Sequence, residues 1–460
     1  MNSEPVRKAP TETLASSQIE ATLARFTRVR AQTEALARPL SPEDCQAQSM
    51  PDASPVKWHL AHVTWFFETF LLERYEPGFV PHNPAFRVLF NSYYNAVGDK
   101  HPRAQRGAVT RPSMAQVLAW RAAVDERVAR LLRGNCTGEL VALLELGLQH
   151  EQQHQELLLT DVKHLLSQNP MQPVYAPAWP LASVAPVHAA WAGFAGGLVD
   201  IGQPVGGFAA AEGIEIAFHF DNESPRHRHF LRPYALLNRL VTHGEWRAFI
   251  NDGAYQNPRW WLSAGWDWVN ANGIEAPLYW RREENSGWSS FTLHGRVPLD
   301  DHTPITHISL YEADAFARWL GETQADFKGA RLPTEFEWEA AVVHAADGGA
   351  TPDLATAIAR GNFAESRALH PMPVARAHDG LLQTAGDVWE WTSSSYHGYP
   401  GYQPWAGAVG EYNGKFMANQ YVLRGGSCAT PASHMRATYR NFFPAEARWQ
   451  FSGLRLARDE

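Results

Sequence analysis

The stretch LGLQHEQQHQELLLTDVKH, Leu146 to His164, reads as one amphipathic helix whose apolar stripe contains two histidines, His150 and His154. Residues four apart leave the same face of a helix about one turn from each other, so both imidazoles point where the leucines point. Three readings compete for the pair. Each histidine could be a hydrogen-bonded core residue. HEQQH could be the HExxH string of a zinc peptidase, with Glu151 as general base. Or the two could belong to a metal site whose remaining ligand lies elsewhere.

The peptidase reading lacks the extended HExxHxxGxxH pattern, because Leu157 stands in place of its glycine. A second string supplies a better partner. KWHLAHVTWFFETF places Trp58, His62, Trp65, Phe66 and Thr69 on one helical stripe, so His62 faces inward among aromatic rings. Two helices that each aim imidazole at a shared core make a three-histidine site. His59 falls off that stripe and reads as a helix-boundary residue, and His164 reads as a cap for the carbonyls at its helix end. Three neutral imidazoles leave half an octahedron open, which suits a redox-active iron; they also suit zinc with one water.

Around these strings the periodicity predicts four helices: 19–36, 54–73 with Ser54 as N-cap and Pro55 at its first position, 113–132, and 137–166 capped by Thr137. That is the pattern of an antiparallel bundle. The long connection from Tyr75 to Pro112 carries FNSYYNAVGDKHPRAQRG, with Tyr93 and Tyr94 followed by Arg103 and Arg106. Long connections in compact domains tend to be functional, and a phenol beside an oxidising centre can donate a proton or hydrogen atom.

A Pro- and Ala-rich stretch then reads as a linker over residues 171–190, separating the bundle of residues 1–170 from a second domain of residues 191–460. The second domain mixes short apolar pieces with glycine, proline and tryptophan, and its two clear helical strings are VTHGEWRAFIND and SLYEADAFARWLGET. The fold class is therefore α+β in two domains. The load of 18 Trp, 22 Phe and 14 Tyr in 460 residues suits ordered loops pinned by large rings. A net charge of -8 without a basic block argues against nucleic acid or an anionic membrane as partner. Three scattered cysteines, Cys45, Cys136 and Cys428, indicate neither a disulfide framework nor a zinc-thiolate site, and the first residues lack the apolar run of a signal peptide. The expectation is a cytoplasmic protein.

Taken together, SPVKWHLAHVTWFFETFLLE, FNSYYNAVG and LGLQHEQQHQELLLTD resemble the DinB-like helical domain of the sulfoxide synthases of ergothioneine biosynthesis. FDNESPRHRHF, LVTHGEWRAFI, RLPTEFEWEAA, AGDVWEWTSS, VLRGGSC and FSGLRLARD resemble the formylglycine-generating-enzyme or sulfatase-modifying-factor domain, a C-type-lectin-like fold. Selenoneine synthases are close relatives in that superfamily. The resemblance implies an oxidoreductase with Fe(II) held by His62, His150 and His154, which uses O2 to join C2 of the imidazole of hercynine to a small thiol. The selenoneine branch instead implies a carbon–selenium bond to a selenosugar, and a zinc-dependent DinB-like thiol transferase is the rival of another class. The resemblance also implies that Gln153 approaches the substrate imidazole, that Asn441 binds a carboxylate, and that Phe442 and Phe443 wall the pocket. Tyr94, or else Tyr93, is the expected proton donor, and Arg103 or Arg106 the partner of a donor carboxylate. The family members that use γ-glutamylcysteine carry an acidic residue after the asparagine–aromatic pair and an arginine four residues beyond. Here those places hold Phe443 and Ala447, so cysteine is the expected donor. The cysteine pair of true formylglycine generators is not evident beside Cys428, and Trp338, Trp389 and Trp391 read as core rings.

Overall fold

The computed structural model describes residues 15–134, 136–177, 184, 186–205, 218–284, 287–344, 354–374 and 380–460. They divide into two compact units, one running to His154 and the other comprising Gln155–Val205 and His219–Glu460. Of the expected linker, residues 178–183 and 185 lie outside the described residues.

In the first unit the four expected helices are α1 (Ser16–Ala37), α2 (Val56–Phe66), α3 (Met114–Gly134) and α4 (Gly138–Ser167). Helix α1 buries Leu23, Phe26, Val29, Arg30, Thr33 and Ala37, steps of three and four that make one stripe. Helix α3 does the same with Val117, Trp120, Arg121, Val124, Val128 and Leu132. All eleven residues of α2 are buried, so α2 lacks a solvent face. It starts with Pro55 as N-cap, one residue later than expected, and Ser54 Oγ accepts from Arg106 Nη1 at 2.9 Å. Past Phe66 the helix widens into a π-helical segment, Phe67–Leu72, before a last α-turn at Glu73–Tyr75. Thr137 caps α4 as expected, its hydroxyl accepting from Leu140 N at 3.3 Å.

The division between the two compact units falls inside α4, between His154 and Gln155. Beyond His154 the side chains of α4 bond to the second unit's own residues. Glu156 accepts from Trp389 Nε1 at 2.8 Å, Ser427 Oγ at 2.5 Å and Thr430 Oγ1 at 2.7 Å. Lys163 Nζ lies 2.6 Å from His307 Nε2.

The second unit is built on small sheets. Strands β1 (Trp191–Phe194), β4 (Tyr234–Leu237) and β12 (Ala457–Asp459) pair antiparallel with β4 central, which joins the beginning of the domain to its end. Strand β2 (Gly197–Ile201) pairs with β3 (His227–Leu231), and β5 (Trp280–Glu283), β6 (Gly287–Thr292) and β7 (Gly295–Pro298) form a three-stranded sheet. The fourth sheet has the order β10 (Asn441–Phe443), β9 (Tyr421–Arg424), β8 (Trp389–Ser395), β11 (Ser452–Gly453).

Both predicted helices begin with a capping box: Thr242 with Glu245, and Ser309 with Glu312. Three further helices, Ser263–Asn272, Glu335–His344 and Leu354–Arg360, complete the described set of seven or more residues in this unit. Trp338, Trp389 and Trp391 are core rings, each at most 1% exposed. Gly425 and Gly426 have φ of +99° and +79°, the left-handed region a side chain resists. All three cysteines are free and buried. Among the described residues no helix is long and apolar enough to cross a membrane.

Candidate metal centre

His62 on α2 and His150 and His154 on α4 converge, with one ligand nitrogen from each lying within 4.8 Å of the others. Their ring centroids are 4.6–5.0 Å apart pairwise and all three are buried. The His62 ring is clamped between Trp58 (4.6 Å, 13°) and Trp65 (5.5 Å, 15°), its neighbours four before and three after on the helix. On the outer face of Trp58 the Arg106 guanidinium sits 3.4 Å from the ring centroid. Phe66 packs against His150 at 4.8 Å.

Hydrogen bonds fix which nitrogen faces the centre. His62 Nδ1 donates to the Phe90 carbonyl at 2.6 Å, which leaves Nε2 as the lone-pair atom. His154 Nδ1 lies 2.9 Å from His59 Nδ1. His150 Nδ1 is buried without a hydrogen-bond partner among the described residues, an arrangement native proteins seldom leave unexplained.

Burial, together with the neighbouring imidazoles and Arg106, drives His62 and His154 well below the usual histidine range, and burial brings His150 down to about 4. All three are therefore neutral at pH 7, the form that binds a metal. Orphaned Nδ1, oriented Nε2 and neutral rings together fit a metal ion.

The HExxH glutamate is elsewhere engaged. Glu151 Oε2 accepts from Arg30 Nη1 at 2.8 Å, and Oε1 accepts from Thr33 Oγ1 at 2.6 Å and from Arg121 Nη2. Its burial would raise the carboxyl, but Arg121 and Arg30 outweigh that and hold it down to about 2. Glu151 thus ties α1, α3 and α4 together and faces away from the peptidase role.

His59 is not at a helix boundary but inside α2, 2% exposed, on the ring nitrogen of a candidate ligand. A helical stripe separates inward from outward residues only on a helix with an exposed face, and α2 has none. The signal available was the spacing WHxxH next to a second histidine pair. The His164 ring lies 6.4 Å from Tyr279.

The paired tyrosines separate. Tyr94 is 4% exposed, with its ring 5.6 Å from Trp65, 6.3 Å from Phe66 and 5.0 Å from Phe70, the first two being the rings that contact His62 and His150. Tyr93 is half-buried and its hydroxyl accepts from Arg103 Nη1 at 2.6 Å. Arg103 is exposed and also donates to the Asp52 carbonyl, whereas Arg106 is buried and donates to Ser54 and to Ser92 Oγ, each at 2.9 Å. Gln153, half-buried, sits on α4 one residue before His154.

In the second unit Asn441, Phe442 and Phe443 are β10, half-buried. Arg440 anchors that strand by donating to Glu335 through Nε at 2.8 Å and Nη2 at 2.9 Å, and to the Asn222 carbonyl at 2.9 Å. Phe442 stacks on Tyr396 at 4.1 Å and 10°, with Phe416 5.6 Å away. Phe443 meets Trp449 edge-on at 5.9 Å. Ala447 is buried, and the adjacent Arg448 donates to Glu312 Oε1 and the Ala276 carbonyl.

Residues 25–158 match the model of the DinB superfamily, and residues 195–460 that of the sulfatase-modifying factor enzyme 1-like domain. A hercynine oxygenase of Mycobacterium tuberculosis is 32% identical over 456 residues, covering 94% of this chain and 97% of its own length. Its counterpart in Mycolicibacterium thermoresistibile is 31% identical over 435 residues, 90% of each chain. A formylglycine-generating enzyme of Streptomyces coelicolor is 31% identical over 266 residues, 49% of this chain and 76% of its own. Two domains in the order of the hercynine oxygenases, matched along nearly their whole length around a buried group of three neutral histidines, show that the chain is an oxidoreductase of the ergothioneine-biosynthesis sulfoxide synthase family.

Proposed function

We propose that this enzyme joins C2 of the imidazole of hercynine to the sulfur of a small thiol, using O2 and an iron(II) ion held by His62, His150 and His154. The balance is one hercynine, one thiol and one O2 giving one sulfoxide and one water, a four-electron oxidation of the two organic substrates. The observation that carries the metal reading is the orientation of neutral imidazoles: His62 turned by Phe90, and His150 left with an unpartnered buried Nδ1. Bound iron(II) would supply one-electron chemistry toward O2 and open coordination positions for the reactants.

The chain's own residues would do the remainder. Gln153 would orient the substrate imidazole. Asn441 Oδ1 accepts from the backbone N–H of Phe442 at 2.9 Å, and its amide NH2 would be the donor for a carboxylate. Tyr94 is the favoured proton donor, since it packs against the rings around the histidines while Tyr93 is tied to Arg103.

The donor is cysteine in this reading. Phe443 cannot accept a hydrogen bond from an ammonium, Ala447 offers no cation, and Arg448 is committed to Glu312. Burying the second charged end of a dipeptide there would cost several kcal/mol, roughly. Arg103, exposed, would meet the cysteine carboxylate in preference to the buried Arg106. The same aromatic wall of Phe442, Tyr396 and Phe416 suits an uncharged selenosugar, which makes carbon–selenium bond formation the second reading.

The test incubates iron-loaded enzyme with hercynine, O2 and, separately, cysteine, γ-glutamylcysteine and a selenosugar, with products identified by mass. A cysteine sulfoxide of highest kcat/KM supports the reading, and a selenium product of highest kcat/KM moves the enzyme to the second. A kcat/KM for γ-glutamylcysteine equal to or above both overturns the pocket argument. Turnover of a thiol with zinc and without O2 consumption would make the protein a thiol transferase.

A further inference from the structure

His59 and His154 face each other through like atoms, Nδ1 to Nδ1, at 2.9 Å, with both rings buried. Two lone pairs at that distance repel and two N–H groups clash, so a single proton lies between them. Its owner decides what His154 can do. If His59 Nδ1 carries the proton, His154 Nδ1 accepts it, and the remaining proton of a neutral His154 sits on Nε2. Neither nitrogen can then bind a metal, since one lone pair is turned to His59 and the other atom has none. If His154 Nδ1 carries the proton, Nε2 is free to ligate and His59 Nδ1 is the acceptor, with the His59 proton on its own Nε2.

We infer that His59 is a positioning residue of the metal centre: it accepts the Nδ1–H of His154 and thereby fixes the tautomer and ring orientation in which His154 Nε2 serves as a ligand. The inference rests on the proposed metal centre. His62 is held by a backbone carbonyl in the same way, so two of three ligands carry a fixed partner, one from the chain and one from a side chain. The His59 ring also makes an edge contact with Trp58 at 5.9 Å, and Trp58 stacks on His62. One helix, α2, therefore supplies a ligand, the ring that clamps it and the partner of the opposite ligand. A neutral imidazole is a weaker acceptor than the carboxylate often found in this role, so it leaves His154 less electron-rich than a carboxylate would.

The experiment measures anaerobic Fe(II) affinity of full-length protein by competition with a chromogenic chelator, for the parent, His59→Leu, His59→Asn and, as control, His150→Ala. Leucine removes the acceptor, and Fe(II) affinity should fall about 10- to 100-fold, the usual effect of losing such a partner. Asparagine places Oδ1 near the position of Nδ1 and should restore affinity to within roughly threefold of the parent, a rescue that general packing would not give. Equal affinity in parent and Leu variant, or equal loss in Leu and Asn variants, overturns the inference. A parent that binds no Fe(II), or a His150→Ala variant that binds as the parent does, overturns the metal reading instead. Should the Leu variant not fold, nitrogen-15 spectra of Zn(II)-loaded parent protein decide alone. They should show His154 Nδ1 protonated and His59 Nδ1 unprotonated, and the reverse assignment sinks the proposal.

Discussion

Arg30 Nη1 donates to Glu151 Oε2 at 2.8 Å with both side chains excluded from solvent, and this pair removes the peptidase meaning from the HEQQH string. A general base needs access to water and a carboxyl near neutrality, whereas Glu151 is locked between two arginines and held at about 2. Glu151→Ala should therefore act on stability, at about 3–5 kcal/mol for a broken buried ion pair, with Fe(II) bound normally by whatever protein remains folded. Urea unfolding and metal content measured together check this. Unchanged stability with lost turnover at full metal content would restore the catalytic role.

The ligand set makes a sharper claim. Replacing His62, His150 or His154 by Ala should each abolish Fe(II) binding under conditions where His164→Ala keeps it within about twofold, because His164 lies ten residues beyond His154, outside the set whose nitrogens converge. Full iron content in His62→Ala would refute the three-histidine centre.

Much of this arrangement was legible beforehand because it follows from helix spacing. His150 and His154 share a face four residues apart, and Trp58, His62 and Trp65 share another, so the sequence pattern alone brought three imidazoles and their clamping rings into a core. His59 was not legible: its placement depends on α2 being enclosed on all sides, and enclosure is a property of the fold. In the second unit the strings VTHGEWRAFIND and SLYEADAFARWLGET carry a helical period and form helices, whereas Glu335–His344 was not legible. That helix is buried nearly throughout, with Glu335, Glu337 and Glu339 inside, so it has no polar face to set a period. The position of α4 across the two units was hidden for a related reason. Its continuous pattern gives no sign that Glu156 and Lys163 find their partners among Ser427, Thr430, Trp389 and His307.

The two tyrosines should differ in kind. Tyr94→Phe removes the hydroxyl of a ring that packs on Trp65 and Phe66, the rings that contact His62 and His150, and with cysteine as donor it should divert product from sulfoxide toward cysteine sulfinic acid. Tyr93→Phe removes the bond to Arg103, so it should raise KM for the donor with little change in product ratio. Product ratios by mass spectrometry separate the cases, and identical ratios in parent and both variants would reject a tyrosine proton donor.

Lys163 sets a pH dependence of stability in the second unit. Its ammonium nitrogen is 2.6 Å from His307 Nε2 and lies over the rings of Tyr279 and Phe451 at 4.9 and 4.8 Å, with nothing anionic among these partners. Burial lowers it from 10.5 to about 7, an effect that nearby Cys428 only partly opposes. Between those values the unfolded chain binds a proton that the folded chain does not. Stability must then rise with pH across this window, at up to about 1.4 kcal/mol per unit from this group. The contribution is complete above 10.5, falls away as pH drops toward 7, and changes no further below 7, where both states are protonated. Lys163→Met keeps the volume and deletes the titration, so the difference in unfolding free energy between variant and parent should shrink steadily from pH 7 to pH 10. Urea unfolding at four pH values measures it. Parallel pH profiles for the two proteins would mean that Lys163 stays charged in the fold and that His307 Nε2 accepts from an ammonium.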